Sequence, residues 1–542
     1  MAAPSTTSAT RFIGNVILPA ISPDDIDETP SSSKPQTFDI TIENHCISSI
    51  QPTSASGTPT SPTAPTSLLL PTLTHPHIHL DKPYLLTSHN IHDNHGSPLP
   101  NYADLCPQSG TFSEALSSTA SAKSRFTPPD LLLRGRQLLA TSYTQGVTSA
   151  RCFVEVDGTV GRKTVDVGLK LQGEWRGLVG VQLCVFAQDP VFSGEIGGVN
   201  RRWVEEVLRE ECGKGGGEAE RRRDEFGGIR VLGSTPYVED SKENAIRNIE
   251  WAVKTALKYD LHLDFHLDYN LDASKDAEEL LVWEVLRRLK QEGWPTTTTL
   301  GKRRTVVLGH CSALTLLSHE HLTRLAKEIK EASLPVYFVG LPTSDLYMMG
   351  RPPDLPPAMT SLESSTTEQD KIQPMSRLRG TLNIPLLRRL YGIKGVIGVN
   401  NVGNAFTPYG TGDPLELASW CVGMMQDGTE MGVRVLFEGI SVGARRALGI
   451  EAEQEKNVET EDLSTKDDVD GSSSQEVKAA GWLRLGDVIQ RLGMLLIRNE
   501  NTIGLSSDIG ELSRMKVPAR QRWSVRDVVW DVPRVELRSV LR

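Results

Sequence analysis

His77 and His79 stand two residues apart at the end of an apolar run that begins with Leu68, Leu69 and Leu70. On an extended strand side chains alternate between faces, so both imidazoles point the same way. Two imidazoles on one face of a strand end can bind one divalent metal ion. With 12 histidines among 542 residues, a lone His-x-His arises readily by chance, and His75 also fits a His-rich loop. Metal chemistry therefore requires further ligands from elsewhere in the chain.

Three other segments offer them. Residues 261–268 alternate strictly: Leu261, Leu263, Phe265 and Leu267 on one face, His262, Asp264, His266 and Asp268 on the other. A half-exposed antiparallel strand shows the same alternation, but histidine and aspartate are unusual choices for plain solvation. Residues 305–311 form a short β-branched run closed by Gly309, His310 and Cys311, the pattern of a buried parallel strand with a histidine at its C-terminal end. Residues 395–401 repeat the design with Asn400 and Asn401. Cys311 is no partner for His310, because adjacent residues on a strand face opposite ways.

Positioning four such side chains together calls for parallel strands that each deliver a functional group at the C-terminal end. That is the arrangement of a (β/α)8 barrel, an α/β fold. The intervening segments have helical patterns. Residues 241–259 start with a Ser241 cap and Glu243 and then show apolar residues at helical spacing; 276–291 and 319–332 look alike.

The run His77, Ile78, His79, Leu80, Asp81, Lys82 resembles the first-strand motif of the amidohydrolase superfamily, in its cytosine deaminase-like branch. The resemblance spans about residues 68–420, and the flanks look like the family's small β domain. Residues 146–151 with 154–157 resemble the second strand. Residues 185–188 resemble the third, whose glutamine, here Gln188, contacts the substrate ring. The resemblance implies that His266 is the third metal-binding histidine with His77 and His79. It also implies that His310 hydrogen-bonds the water or the substrate. Residues 408–412 resemble the family's PLGTG segment, and Lys82 is similar to a lysine of N-isopropylammelide hydrolases. Two positions depart from the pattern. Tyr269 stands where cytosine deaminases carry a glutamate, with Asp268 one position earlier, and Asn400 stands at the family's catalytic aspartate. An amide cannot accept a proton near neutral pH and brings no charge to balance an ion. The candidates for a base are then His310, Asp268, Asp264 and Asp81.

Composition agrees with an enzyme built on a large core. The formal net charge of −10 and the lack of a long basic patch argue against nucleic-acid binding; residues 221–223, three arginines, sit among acids and read as a solvated loop. Seven scattered cysteines without a C-x-x-C pair read as free thiols of a reducing compartment. No run reaches the ~18 apolar residues of a membrane span, and residues 1–10 lack the apolar core of a secretory signal. A cytoplasmic location is expected. Four segments follow: 1–67, the N-terminal part of a small β-sandwich domain with a Pro/Ser/Thr linker at 53–67; 68–450, the barrel; 451–474, an acidic insertion expected to be disordered; 475–542, the C-terminal part of the small domain. Strands are expected at 12–18 and at 38–50 around a turn at Asn44, and surface loops at 213–220 and 355–373.

The functional expectation is a hydrolase acting on a C–N bond of a cyclic amidine or amide, with one zinc or iron ion that lowers a water's pKa towards ~7. His77, His79 and His266 hold the ion. His310, Asn400 and Asp268 are the catalytic candidates. Gln188, Lys82 and Tyr269 are the substrate-binding candidates, and Lys82 with Asp81 is expected at the pocket mouth. The partner is a small nitrogen heterocycle, and a homo-oligomer is compatible with the reading. The competing expectation, favoured by Asn400 and Tyr269, is a catalytically silent relative that binds a small molecule or metal without turnover.

Overall fold

Every residue of Val147–Glu155 and Gly180–Ala187 is buried, which only a strand covered on both faces allows. The computed structural model describes residues 10–21, 35–53, 65–87, 92, 96, 98–213, 225–299, 301–350, 378–450, 479–480, 482–487, 493–504 and 516–542. The expected loop at 355–373, the acidic segment 451–474, residues 221–223 and most of 53–67 and 213–220 lie outside the described residues.

In chain order the first strands are β1 Thr10–Ile17, β2 Phe38–Glu43, β3 Cys46–Pro52 and β4 Ser67–Pro71. β5 Leu73–His79, β6 Val147–Glu155, β7 Gly180–Ala187, β8 Ile229–Ser234, β9 His262–Leu267, β10 Val306–His310, β11 Val336–Gly340 and β12 Gly395–Ile397 then form one parallel sheet in sequential order. The sheet closes on itself. Ile78 bridges Asn400, the His79 amide donates to the Asn400 carbonyl (2.9 Å) and the Asn400 amide to the His77 carbonyl (3.1 Å). Helices follow the strands: α1 Phe112–Arg125, α2 Pro128–Thr144, α3 Lys163–Trp175, α4 Gly194–Cys212, α5 Lys242–Tyr259, α6 Leu281–Gln291, α7 His319–Glu331, α8 Pro342–Met348 and α9 Ile384–Tyr391. The expected barrel is therefore present. Ser241 caps α5 as its sequence implies, accepting from the Asn244 amide.

The apolar run at 68–70 is not the start of the metal-bearing strand. It belongs to β4, which pairs with β1 and with a C-terminal strand, and Thr72 alone separates it from β5. The C-terminal strands are β13 Ala479–Ala480, β14 Leu483–Arg484, β15 Met494–Ile497, β16 Thr502–Ile503, β17 Val517–Pro518 and β18 Arg538–Leu541. Both ends of the chain thus build a six-stranded sheet, in the order β18-β15-β4-β1-β2-β3. Its second layer is slight: Leu483 of the β13–β14 ribbon joins its core, and the Trp482 indole donates to the Leu69 carbonyl (2.9 Å). All seven cysteines are free. Among the described residues no helix is long and apolar enough to cross a membrane.

Candidate metal centre and cleft

β5 brings His77 and His79 to the C-terminal end of the barrel, and β9 brings His266 beside them. All three side chains are buried, and one ring nitrogen of each lies within 4.8 Å of the others. His77 Nε2 and His266 Nε2 are 3.1 Å apart. Glycines leave room for His77: a Cβ at Gly398 would lie 3.2 Å from its Cβ, and one at Gly309 would lie 3.4 Å from its ring Cε1. Phe153 of β6 and Phe186 of β7 form an apolar floor, with ring centroids 4.0 Å from His77 and 4.4 Å from His266 respectively. Burial, reinforced by positive neighbours, holds all three imidazoles well below their usual pKa. They are neutral, with lone pairs available to a cation. Their Nδ1 atoms are buried without hydrogen-bond partners, while the Nε2 atoms of His77 and His266 face each other as two ligands of one ion would. Three neutral imidazoles suit one zinc or iron ion.

His310 ends β10, its ring centroid 5.2 Å from that of His266. Its Nδ1 donates to Asp345 Oδ1 at 2.7 Å. Asp345, on α8, also accepts at Oδ2 from Thr381 Oγ1 (2.8 Å) and the Leu341 amide (3.3 Å). A carboxylate held this way fixes the proton on Nδ1 and leaves Nε2 as the acceptor. Asn400, just beyond β12, donates from Nδ2 to Ser344 Oγ (2.9 Å). Asp268, His310 and Asn400 all have positive φ, at 43°, 62° and 67°. Asp and Asn are among the residues that tolerate this region best, and such strain clusters at functional sites.

His79, His266, His310, Ser344 and Asn400 line a cleft that opens to solvent. The cleft also takes in Lys82, Gln188, Tyr269 and Asn401. Phe112, Tyr237, Met348 and Phe406, which the sequence did not single out, complete it. Tyr269 stacks between Phe112 (5.6 Å) and Tyr237 (5.9 Å), giving one wall a continuous aromatic face.

Of the candidate bases, Asp264 and Asp81 do not line the cleft, and neither does Asp268. Its two oxygens accept from the Leu281 and Val282 amides, both at 2.9 Å, so it caps α6. This cap also moves the start of the α-helix from the expected 276 to Leu281. Lys82 and Asp81 are not at the mouth but buried. Lys82 pairs with Glu155, and Asp81 accepts from the Glu155 amide (2.8 Å). Lys123 of α1 joins from the other side, 2.8 Å from Glu155, 2.5 Å from Asp157 and 2.8 Å from Asp189. Burial would raise the Glu155 carboxyl, but the ammonium groups of Lys123 and Lys82 outweigh it and hold the carboxyl down, at about 2. Its folded value lies below its ordinary 4.5, so its stabilising contribution is full above that pH and is lost as pH falls towards 2. Glu155→Gln strands the buried Lys82 ammonium, while Lys123 keeps Asp157 and Asp189, and is expected to cost about 3–5 kcal/mol. Thermal unfolding at neutral pH checks this; a wild-type melting temperature would refute it.

No family model matches the chain, and no curated protein matches it. Solved structures do. A 5-methylcytosine deaminase from Klebsiella pneumoniae superposes with a TM-score of 0.58 at 18% identity, over 81% of this chain and 86% of that one. The chain shares its fold. An N-isopropylammelide isopropylaminohydrolase from Burkholderia multivorans matches with a TM-score of 0.58 at 17% identity, over 98% and 96%. A triazine hydrolase from Arthobacter aurescens matches with a TM-score of 0.52 at 15% identity, over 94% and 91%.

Proposed function

We propose that this protein is a metal-dependent hydrolase that cleaves a C–N bond in a planar nitrogen heterocycle. The observation that carries the reading is the convergence of three neutral, buried histidines and the His310–Asp345 pair on one cleft. The fold shared with a 5-methylcytosine deaminase, an isopropylaminohydrolase and a triazine hydrolase supports it.

His77, His79 and His266 would hold one zinc or iron ion, which supplies Lewis-acid activation of the attacking water. His310 Nε2 accepts the proton released on attack, and Asp345 stabilises the imidazolium that results. The stacked face of Tyr269, Phe112 and Tyr237 takes the flat ring. Gln188, at the cleft wall, pairs with the ring's polar edge. Lys82, its charge balanced by Glu155, offers a hydrogen-bond donor without making the cleft an anion trap.

A second reading keeps the barrel for binding without turnover. Asn400 favours it, since β12 then presents no carboxylate to the ion.

Metal content tests the proposal first. Purified wild type is expected to hold about one divalent ion per chain. His77→Ala with His79→Ala should abolish it, because one remaining imidazole makes no tight site. Elemental analysis that finds no metal in wild type, even after refilling with zinc and iron, sinks the proposal.

A further inference from the structure

The interior of a (β/α)8 barrel is ordinarily filled by layers of branched apolar side chains. Here it carries a polar column. His262 Nε2 lies 3.2 Å from Glu225 Oε2. Above them the Arg151 guanidinium, fully buried, donates from Nε to Gln182 Oε1 (2.8 Å) and from Nη1 to Asp264 Oδ2 (2.8 Å). The other Asp264 oxygen, Oδ1, lies 3.7 Å from His77 Nδ1. Neither of these two atoms has a hydrogen-bond partner, and both are buried.

An arginine–carboxylate pair in a barrel core loses much of its attraction to desolvation, and apolar residues of similar volume are often as stable or more so. The fold alone gives no reason to keep Arg151 and Asp264. Their placement does. Arg151 occupies one oxygen and aims the other at the outer nitrogen of a metal-ligand ring. Closing the gap by less than about 1 Å completes an N–H···O bond of ordinary length.

We propose that Asp264 is the outer carboxylate of the metal site, a positioning residue that accepts from His77 Nδ1–H. That bond fixes the tautomer in which Nε2 presents its lone pair to the ion, and it makes the ring a better donor. A negative charge, which the Asn400 amide cannot supply at the rim, is thus placed beneath the ligand. The inference rests on the metal-binding reading above.

The test is zinc affinity, read by competition with a chromophoric chelator on full-length protein stripped and reloaded with Zn²⁺. Asp264→Asn is expected to weaken zinc binding by about 10–100-fold. Because that variant leaves Arg151 without a counter-charge, R151M/D264N is made alongside it; it removes both charges and is expected to show the same loss. Thr305→Val breaks the contact of Thr305 Oγ1 with His262 Nδ1 (3.0 Å), one layer lower. It should lower the melting temperature but leave zinc affinity within about threefold. Wild-type affinity in either charge variant overturns the inference while leaving the metal site intact. An equal loss in Thr305→Val also overturns it, since affinity would then follow core stability. Absence of metal from wild type itself removes the proposed function, and this inference with it.

Discussion

Asn400→Asp is expected to raise hydrolysis of cyclic amidines, such as cytosine or triazine analogues, by about 10²–10⁴-fold, the contribution of a well-placed proton acceptor. The backbone permits the change. Asn400 sits at φ 67°, a region aspartate tolerates almost as well as asparagine. Ser344 Oγ, which now accepts from the Asn400 amide, also contacts Thr407 Oγ1 (2.7 Å) and can rotate to donate to a carboxylate instead. The new charge would stand beside His79, whose amide already bonds to the carbonyl of residue 400. Turnover per bound metal over a broad panel of heterocycles is the measurement. A wild type that turns over a panel member faster than the aspartate variant would refute the prediction and leave His310 sufficient as the base. Gain from an inert parent would mean a barrel that has lost only its base. Metal bound by both proteins with no turnover by either favours the silent reading.

The second large effect is expected from Asp345→Asn, a loss of about 10²–10⁴-fold in kcat with metal content unchanged. An asparagine here must keep its oxygen towards the Leu341 amide and Thr381 hydroxyl, both donors to Oδ2. Its NH₂ then faces His310 Nδ1 and forces the tautomer that carries its proton on Nε2. The ring remains in place but no longer offers an acceptor to the cleft. Because the substrate-facing wall is untouched, KM should move little. An unchanged kcat would show that His310 only packs against the site.

The sequence exposed the residues that lie on regular strands and hid those that do not. His77, His79, His266 and His310 each close an apolar run, and a period of two places them on the inner face of buried strands. Asp345 lies on the seven-residue α8 and Tyr237 in a short 3₁₀ turn, while Phe112 opens a helix and Phe406 sits in a loop. Nothing periodic marks them, so the aromatic wall and the partner of His310 went unseen. Asp268 misled because residue 268 and residue 269 are both polar and both follow the strand. Only a backbone φ of 43° turns the first towards α6, leaving the cleft to Tyr269. The leucine-rich stretch from Leu68 to Leu73, broken only at Pro71 and Thr72, hid a change of sheet, because burial in either core demands the same residue types.

The barrel's seam has a consequence for how the protein matures. The last barrel strand meets the first through backbone bonds made by His77, His79 and Asn400 themselves. A ribosome must therefore polymerise some four hundred residues before His77 and His79 gain their final neighbour. Until then they sit on an unpaired strand edge, ordered on one side only. Metal acquisition should accordingly be a late step of biogenesis, and nascent chains arrested short of β12 should emerge without the ion even where zinc is plentiful.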